Sequence, residues 1–273
     1  MINKNNKTKI TAYFIAAILI FSCFNNSDIS SVTAAGNKVK WSDVKVIRHA
    51  CGEIDGNFYT NSREALNNSI SLGVNAIEMD FMFTTSYKLV CLHKWSDIGA
   101  KKVLSTKAFK KRKIYGRYTT MSARKALKKL IKAGNIYLIV DTKDRNVTKI
   151  YKALIKILDD LPGGKAYKKM IVPQIYSEKQ FNDLREVFTF RHCIYTLYKQ
   201  GLKKDKDFKA AATFCVEKGI DTVTIARKKL TPERIAYFKQ AGIMVATHTV
   251  NSAKAQSKYY SMGVDAIYSD TLY

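Results

Sequence analysis

Two carboxylates stand in the middle of an apolar segment of this 273-residue chain. In the segment NAIEMDFMF, Glu78 and Asp80 are separated by one residue, so a β-strand would point both side chains to the same face. A third carboxylate, Asp141, ends a similar segment, IYLIVDTKD, which also carries Lys143. Buried like charges repel unless a cation lies between them, and Ca²⁺ or Mg²⁺ prefers oxygen ligands. The carboxylates therefore predict a site for one divalent cation, with neutralisation by Lys143 or another basic residue as the alternative.

Two of the four histidines end apolar segments that predict strands. His49 follows VKVIR and His93 follows KLVCL, so the two imidazoles are expected to flank the strand that carries the acidic pair. Histidine titrates near neutrality, and the two could act as base and acid on opposite sides of a phosphate. His248, near the end of a later strand, is expected to line the same site. Gln174 and Tyr176 share one strand face and are candidates for binding substrate, with polar packing in the interior as the alternative.

Short β-branched segments alternate with amphipathic segments along the chain after residue 40. This alternation is typical of βα units around a parallel sheet. Counting residues 75–93 as one strand with an extension gives eight units, which predicts a single-domain (β/α)₈ TIM barrel over residues 44–273. In that fold the carboxyl ends of the strands meet at one face, where the polar residues described above would converge.

The limits of the elements follow from the apolar periodicity and the positions of glycine and proline. The predicted strands span residues 44–49, 75–83, 89–93, 136–143, 170–176, 193–198, 222–226, 243–250 and 265–269. The predicted helices span residues 62–72, 122–133, 147–161, 177–188, 208–218, 232–241 and 253–262.

The amino terminus has the composition of a leader. Three lysines precede an apolar stretch over residues 10–24, and small residues follow it. This order is typical of a signal peptide, so we expect residues 1–35 to direct export to the cell envelope or the medium, and residues 36–43 to form a short lead-in. An uncleaved membrane anchor is one alternative. Lipid attachment at Cys23 is another, although the phenylalanine two residues before it fits that reading poorly.

The chain is strongly basic, with 47 Lys and Arg against 22 Asp and Glu and a formal charge of +25. The predicted leader carries three Lys and one Asp, so +23 remains without it. Such a charge favours contact with an anionic membrane or wall surface. The densest run, KKVLSTKAFKKRKIYGR, has eight basic residues and no acid, and a solvated face is its simplest interpretation. Because no zinc-finger spacing or aromatic RNA-binding motif accompanies the charge, no specific nucleic-acid partner is expected.

Together these motifs resemble those of the glycerophosphodiester phosphodiesterase family. They run in the order VIRHACGEIDG, TNSREAL, GVNAIEMDF and KLVCLH, followed by LIVDTK, THTVNS and GVDAIYSD, and cover residues 44–270. The resemblance implies a TIM barrel, also shared by phosphatidylinositol-specific phospholipases C. It implies hydrolysis of a small-molecule glycerophosphodiester, or a related phospholipid headgroup, to an alcohol and glycerol phosphate.

The resemblance also implies roles for single residues. The three carboxylates would be the metal ligands, with Asp141 in the place of the family's third acidic ligand. His49 and His93 match the family's general acid/base pair. Lys143, two residues after the third ligand, would contact the phosphate.

Two motifs depart from the family's pattern. The usual His-Arg-Gly reads HACG at residues 49–52, with Arg48 before the histidine, and strand alternation would turn Arg48 away from the site. The usual Glu-Asn-Thr reads TNS at residues 60–62, which loses the glutamate but keeps the asparagine and the hydroxyl that can begin the following helix. Two alternative functions remain: a metal-independent phosphatidylinositol-type phospholipase C, and a non-catalytic cationic barrel that binds phosphate or an anionic surface.

Overall fold

A computed structural model describes residues 39–142, 146–198 and 200–273 of the chain. The predicted leader and the predicted phosphate ligand Lys143 lie outside the described residues. Among the residues that are described, no helix combines the length and the apolar character needed to cross a membrane.

Strands and helices alternate through the described residues, and each predicted element is present within three residues of its expected limits. The strands are β1 (Val46–Arg48), β2 (Ala76–Phe83), β3 (Leu89–Cys91), β4 (Lys113–Ile114), β5 (Tyr118–Thr119), β6 (Met121–Ser122), β7 (Tyr137–Thr142), β8 (Ile171–Ile175), β9 (Ile194–Thr196), β10 (Thr222–Ala226), β11 (Met244–His248) and β12 (Ala266–Ser269). The helices are α1 (Arg63–Ser71), α2 (Thr106–Lys110), α3 (Ala123–Ala133), α4 (Val147–Asp159), α5 (Gly164–Tyr167), α6 (Glu178–Arg185), α7 (Asp205–Lys218), α8 (Pro232–Gln240) and α9 (Ala253–Ser261).

Eight parallel strands close into a barrel, so the predicted (β/α)₈ fold is confirmed. Neighbouring strands pair in the order β1-β12-β11-β10-β9-β8-β7-β2, and a pairing between Arg48 and Ile77 joins β1 to β2. Both faces of β2 are buried because the outer face packs under helices while the inner face lines the barrel. Met79 and Phe81 belong to the apolar core outside the barrel wall and are fully buried.

The predicted extension of the second strand is a hairpin. β3 runs antiparallel to β2, with Phe81 opposite Cys91 and Phe83 opposite Leu89, and β6 adds beside β3. β2 therefore continues beyond the barrel rim, and β3 returns to it. The Leu92 amide donates to the Asp80 carbonyl at 3.0 Å, which brings the following residue back to the level of the acidic pair.

Residues 94–120, which we call the insert, follow the hairpin and contain α2, β4 and β5. They pack on a second apolar cluster, separate from the main core, whose members are Val90, Leu92, Ile98, Ala100, Phe109, Ile114 and Tyr118. The sequence analysis did not predict these elements, because each is five residues or shorter and too brief to show a period.

Trp41 closes the amino-terminal end of the barrel. Its indole Nε1 donates to Thr222 Oγ1 at 2.8 Å, and its ring centroid lies 5.1 Å from that of Tyr137 and 5.6 Å from that of His192. Thr222 and Tyr137 are the first residues of β10 and β7. Residues 39–43 of the lead-in are thus part of the packed barrel, and their stabilising contacts lie at the end opposite to the strand carboxyl ends.

Replacing Trp41 tests this account of the lead-in. We expect Trp41→Ala to lower the free energy of unfolding by about 3–5 kcal/mol, because the buried ring leaves a cavity. Trp41→Phe keeps most of the ring contacts and should cost about 1 kcal/mol for the lost hydrogen bond, plus the smaller ring volume. Urea unfolding followed by circular dichroism measures both. Equal losses for the two variants would contradict a packing role for the indole.

Candidate active site

The three predicted metal ligands form one buried cluster. Asp80 and Asp141 stand opposite each other in the β2–β7 register, and Glu78 precedes Asp80 on the same strand face. One carboxylate oxygen from each residue lies within 4.8 Å of those from the other two, and none of the three residues is more than 3% exposed. Oxygen donors converging from two strands are the ligand set that a hard divalent cation requires, so the residues present fit the expected ion.

Neutral donors hold each carboxylate in place. The Ala50 amide donates to Glu78 Oε2 at 2.7 Å, and Asn61 Nδ2 donates to Asp80 Oδ2 at 2.8 Å, while Asn61 Oδ1 accepts from the Asp80 amide at 2.9 Å. Burial, followed by the repulsion from Asp80, raises the pKa of Glu78. These donors orient the oxygens without adding charge, and a divalent cation bound by the three carboxylates would relieve the repulsion between them.

The loop segments that supply these donors have a strained backbone. Ala50, Cys51, Tyr59 and Asn61 all have positive φ, at 47°, 69°, 59° and 47°. Non-glycine residues rarely adopt this conformation, and it persists only where surrounding contacts over-determine it. The Ala50 amide is thereby directed to Glu78. Ala50, Cys51 and Asn61 lie in the two motifs that depart from the family's pattern, and Tyr59 immediately precedes the second.

His49 is fixed by a carboxylate that the sequence analysis did not identify. Its Nδ1 lies 2.9 Å from Asp270 Oδ1, and the other oxygen of Asp270 accepts from Asn251 Nδ2 at 2.8 Å. A carboxylate only accepts, so Nδ1 carries the proton and Nε2 is left for a ligand. Burial alone would lower the pKa of His49, but the hydrogen bond with Asp270 and the nearby charge of Glu78 raise it to about 9.

His93 stands across an aromatic ring from His49. The Tyr59 ring centroid lies 4.9 Å from each of the two imidazole centroids. His93 Nδ1 is 3.5 Å from Asp97 Oδ2, at the limit of hydrogen-bonding distance. Each imidazole therefore has a carboxylate near its Nδ1, and both rings contact Tyr59.

These groups surround one cavity of about 210 Å³ at the carboxyl ends of the strands. Among the sequence-predicted residues, His49, Glu78, His93, Asp141, Gln174, Tyr176 and His248 line it, and Asp80 belongs to the adjoining carboxylate cluster. The remaining lining residues are Tyr59, Tyr198, Thr224, Thr249 and Tyr268. The structure thus brings together every described residue of the predicted site.

Gln174 and Tyr176 are linked to the carboxylate cluster by a chain of hydrogen bonds. Tyr268 Oη donates to Gln174 Oε1 at 2.7 Å, Gln174 Nε2 donates to Tyr176 Oη at 2.7 Å, and Tyr176 Oη donates to Asp141 Oδ1 at 2.9 Å. Burial, together with the charge of Asp141, raises the pKa of Tyr176, so the phenol stays a donor. The two residues therefore line the cavity and also orient the third carboxylate.

The far wall of the cavity is uncharged. Burial, followed by the positive charge of His49, lowers the pKa of His248 to about 4. The Tyr198 ring centroid lies 4.6 Å from that imidazole. Within the described residues, His248 Nδ1 is buried without a hydrogen-bond partner.

Arg48 points away from the site, as strand alternation predicts. Its Nε donates to Ser69 Oγ at 3.3 Å and its Nη1 to the Leu272 carbonyl at 3.0 Å, and only 2% of the residue is exposed. Gly52 makes room for it, since a Cβ at that position would lie 2.1 Å from Arg48 Nη2. The arginine is therefore a structural group in this chain.

Three polar residues support the site without having been assigned to it from the sequence: Asn61, which was noted only as a retained residue of its motif, Asn251 and Asp270. All three occur in motifs that carry the family resemblance, namely TNSREAL, THTVNS and GVDAIYSD. Asp270 follows directly on β12, a position equivalent to that of the two predicted histidines, and this signal could have identified it. The hydroxyl predicted to begin a helix does so, since Ser62 Oγ accepts from the Ala65 amide at 3.0 Å.

The fold is that of several solved phosphodiesterases. A glycerophosphodiester phosphodiesterase from Parabacteroides distasonis matches with a TM-score of 0.66 and 20% identity, over 84% of this chain and 93% of that one. A phosphodiesterase from Oleispira antarctica, in complex with the product sn-glycerol-3-phosphate, matches with a TM-score of 0.68 and 17% identity, over 83% and 92%. A glycerophosphodiester phosphodiesterase from Agrobacterium tumefaciens matches with a TM-score of 0.63 and 13% identity, over 84% and 96%. No protein-family model and no curated protein sequence matches the chain.

The chain therefore has a TIM barrel of the kind found in glycerophosphodiester phosphodiesterases, and the resemblance read from its motifs is confirmed at the level of the fold. Nearly the full length of each solved protein is matched, so the likeness extends over the whole barrel.

Ion binding should be visible as a change in stability. We expect Ca²⁺ or Mg²⁺ at about 100 times Kd to raise Tm by about 5–10 °C. Asp80→Asn should abolish this rise while leaving the ion-free protein at least as stable, because it removes a repulsion. Without an ion, a raised carboxyl pKa makes stability fall as pH increases above the ordinary pKa of Glu78, so the ion's effect should grow with pH.

Differential scanning calorimetry with and without chelator measures these shifts, and Glu233→Gln, an exposed carboxylate on α8, is the matched control. An ion-induced rise in Tm that persists in Asp80→Asn would place the ion elsewhere.

Proposed function

We propose that this protein is a metal-dependent phosphodiesterase that hydrolyses glycerophosphodiesters, or related phospholipid headgroups, to an alcohol and glycerol phosphate. The observation that carries the proposal is the convergence of three buried carboxylates and two carboxylate-backed imidazoles on one small cavity. The Oleispira antarctica neighbour, which contains sn-glycerol-3-phosphate, supports this substrate class.

The chemistry divides between the ion and the imidazoles. A divalent cation held by the carboxylate cluster would neutralise charge on the phosphate as the reaction proceeds. The attacking group is either water or the hydroxyl on the adjacent glycerol carbon. One of His49 and His93 removes the proton of that group, and the other protonates the departing alcohol oxygen. If the glycerol hydroxyl attacks, a cyclic phosphate forms, and the two histidines exchange roles when water opens it.

The remaining lining residues would bind the organic part of the substrate. His248 and Thr224 both line the cavity, and His248 Nδ1, which has no partner within the described residues, would bind a ligand hydroxyl. The cavity volume of about 210 Å³ suits a small polar headgroup, and the acyl chains of a lipid would have to stay outside. Lys143 remains our proposed phosphate contact on the basis of its place in the LIVDTK motif.

Two further expectations accompany this function. The apolar stretch over residues 10–24 supports export, and the charge of +25 supports affinity for an anionic membrane or wall surface. An exported enzyme with this charge would work close to phosphate-bearing substrates in the envelope.

A substrate panel with and without chelator tests the reaction class and the need for metal together. We expect turnover of glycerophosphocholine or glycerophosphoglycerol that is lost with chelator and restored by Ca²⁺ or Mg²⁺. His49→Ala and His93→Ala should each lower kcat by about 10²- to 10⁴-fold, because each removes a positioned acid or base. Released alcohol and glycerol phosphate are measured by coupled assay.

Glu78→Gln should also abolish turnover, whereas the surface variant Glu233→Gln should leave it unchanged. Activity that survives exhaustive chelation would favour the metal-independent phospholipase C. No turnover above the histidine variants on any substrate would leave the non-catalytic barrel as the better account.

Asp270 is a positioning residue whose role is testable by pH. Asp270→Asn should lower kcat by about 10²- to 10⁴-fold, because the imidazole loses its orientation and preferred tautomer. Removing the carboxylate also removes an interaction that raises the pKa of His49, so the limb of the pH–rate profile that His49 controls should move to lower pH. Asp183→Asn, in a surface ion pair, is the control. A lower rate with an unchanged profile would indicate a purely structural role.

A further inference from the structure

The insert presents an unbalanced positive surface. Its nine basic residues are all exposed: Lys94, Lys101, Lys102, Lys107, Lys110, Lys111, Arg112, Lys113 and Arg117. Within the described part of the chain, two of them have a carboxylate within ion-pair distance: Arg117, with Asp55 at 2.7 Å, and Lys94, with Asp97 at 3.8 Å. Seven positive charges on one small substructure are thus left for an external anion to neutralise.

Large apolar side chains are also exposed on the insert or beside it. Of the six that are exposed in the described residues, four lie on or against the insert, namely Phe58 (37%), Tyr87 (80%), Val103 (42%) and Tyr115 (43%). Tyr115 Oη donates to the Phe58 carbonyl at 3.2 Å, so these two residues are neighbours. A hydrogen bond of 3.0 Å from the Thr85 amide to the Leu104 carbonyl brings the hairpin turn with Tyr87 close to Val103.

This surface borders the mouth of the cavity. Phe58 immediately precedes Tyr59, whose ring lies between the two histidines. The Tyr115 amide donates to the Asp97 carbonyl at 2.8 Å, and the carboxylate of Asp97 lies behind His93. The contacts therefore tie the insert to the rim of the candidate active site.

We propose that this docking face, formed by the four exposed apolar side chains and the seven unpaired basic residues, binds an anionic lipid bilayer. Lysines near a membrane surface are attracted by anionic headgroups, and aromatic or aliphatic side chains among them insert into the headgroup region. A soluble polyanion would account for the lysines but would leave the four apolar side chains in water. Charge and apolar exposure together therefore favour a bilayer, and the proposal goes beyond the phosphodiester chemistry.

A tryptophan reporter at the apolar tip locates the contact in the full chain. Tyr87→Trp should show a blue-shifted emission and quenching by brominated lipid in vesicles of phosphatidylcholine with phosphatidylglycerol. Val216→Trp, at a 58%-exposed position on α7, is the matched control and should not respond. Because the signal is taken as the difference from the parent chain, whose own tryptophans are Trp41 and Trp95, it distinguishes this face from any contact made elsewhere in the chain. Equal quenching at both positions, or none at position 87, would overturn the proposal.

Neutralising the face tests the contribution of its charge. Lys101→Gln, Lys102→Gln and Lys110→Gln combined should weaken vesicle binding by about a hundredfold, and pure phosphatidylcholine vesicles should bind the parent chain weakly. The control combines Lys132→Gln, Lys156→Gln and Lys218→Gln, exposed lysines near the carboxyl ends of α3, α4 and α7. Equal weakening in both sets would show that net charge alone attracts the protein, which would contradict a defined face.

Two further measurements separate the possible outcomes. Binding of heparin without quenching at position 87 would assign the face to a soluble polyanion and overturn the proposal. The triple Gln variant of the face should hydrolyse a soluble glycerophosphodiester within about twofold of the parent chain, since none of its residues lines the cavity. Failure of vesicle binding and failure of the proposed enzymatic activity are therefore observed independently.

Discussion

Repulsion among three buried carboxylates is the constraint on which the site depends. Glu78, Asp80 and Asp141 have oxygens within 4.8 Å of one another, on two strands whose outer faces belong to the packed core. The carboxylates cannot move apart by a change of strand register, because shifting either strand by one residue would turn them outward and the apolar side chains inward. The barrel therefore maintains a concentration of negative charge that a divalent cation would stabilise.

Different elements of the fold position the two imidazoles beside these carboxylates. His49 follows a barrel strand and is held by Asp270, which Asn251 orients in turn. His93 follows the returning strand of a hairpin, beyond which the insert supplies Asp97. The first histidine is thus part of the closed barrel, whereas the position of the second depends on a smaller apolar cluster. His49 and His93 therefore have different surroundings although they are chemically alike. The proposed roles of proton acceptor and proton donor require such a difference.

The strand limits and the facing of side chains could be predicted from the sequence, because both depend on local periodicity. Alternation on one strand is enough to pair Glu78 with Asp80 and to turn Arg48 outward, and the strand limits follow from short apolar runs. The roles of Asp270 and Asn61 were not predicted in this way, because each acts through a contact with a residue far away in the chain or on another element. The hairpin was read as one extended strand for the same reason, since antiparallel return is set by cross-strand pairing that a linear pattern does not show.

Stability and function are separated along the barrel axis. At the amino-terminal end, Trp41 joins the lead-in to the first residues of the strands through ring contacts and one hydrogen bond. At the opposite end, Ala50, Tyr59 and Asn61 keep unfavourable backbone conformations beside the carboxylate cluster. Strain and charge repulsion both lower stability, so they can be kept only if contacts elsewhere offset them. Loss of packing at the amino-terminal end should therefore first disturb the carboxyl end of the barrel. The loop conformation that orients Glu78 and Asp80 is the least stable part of the structure there.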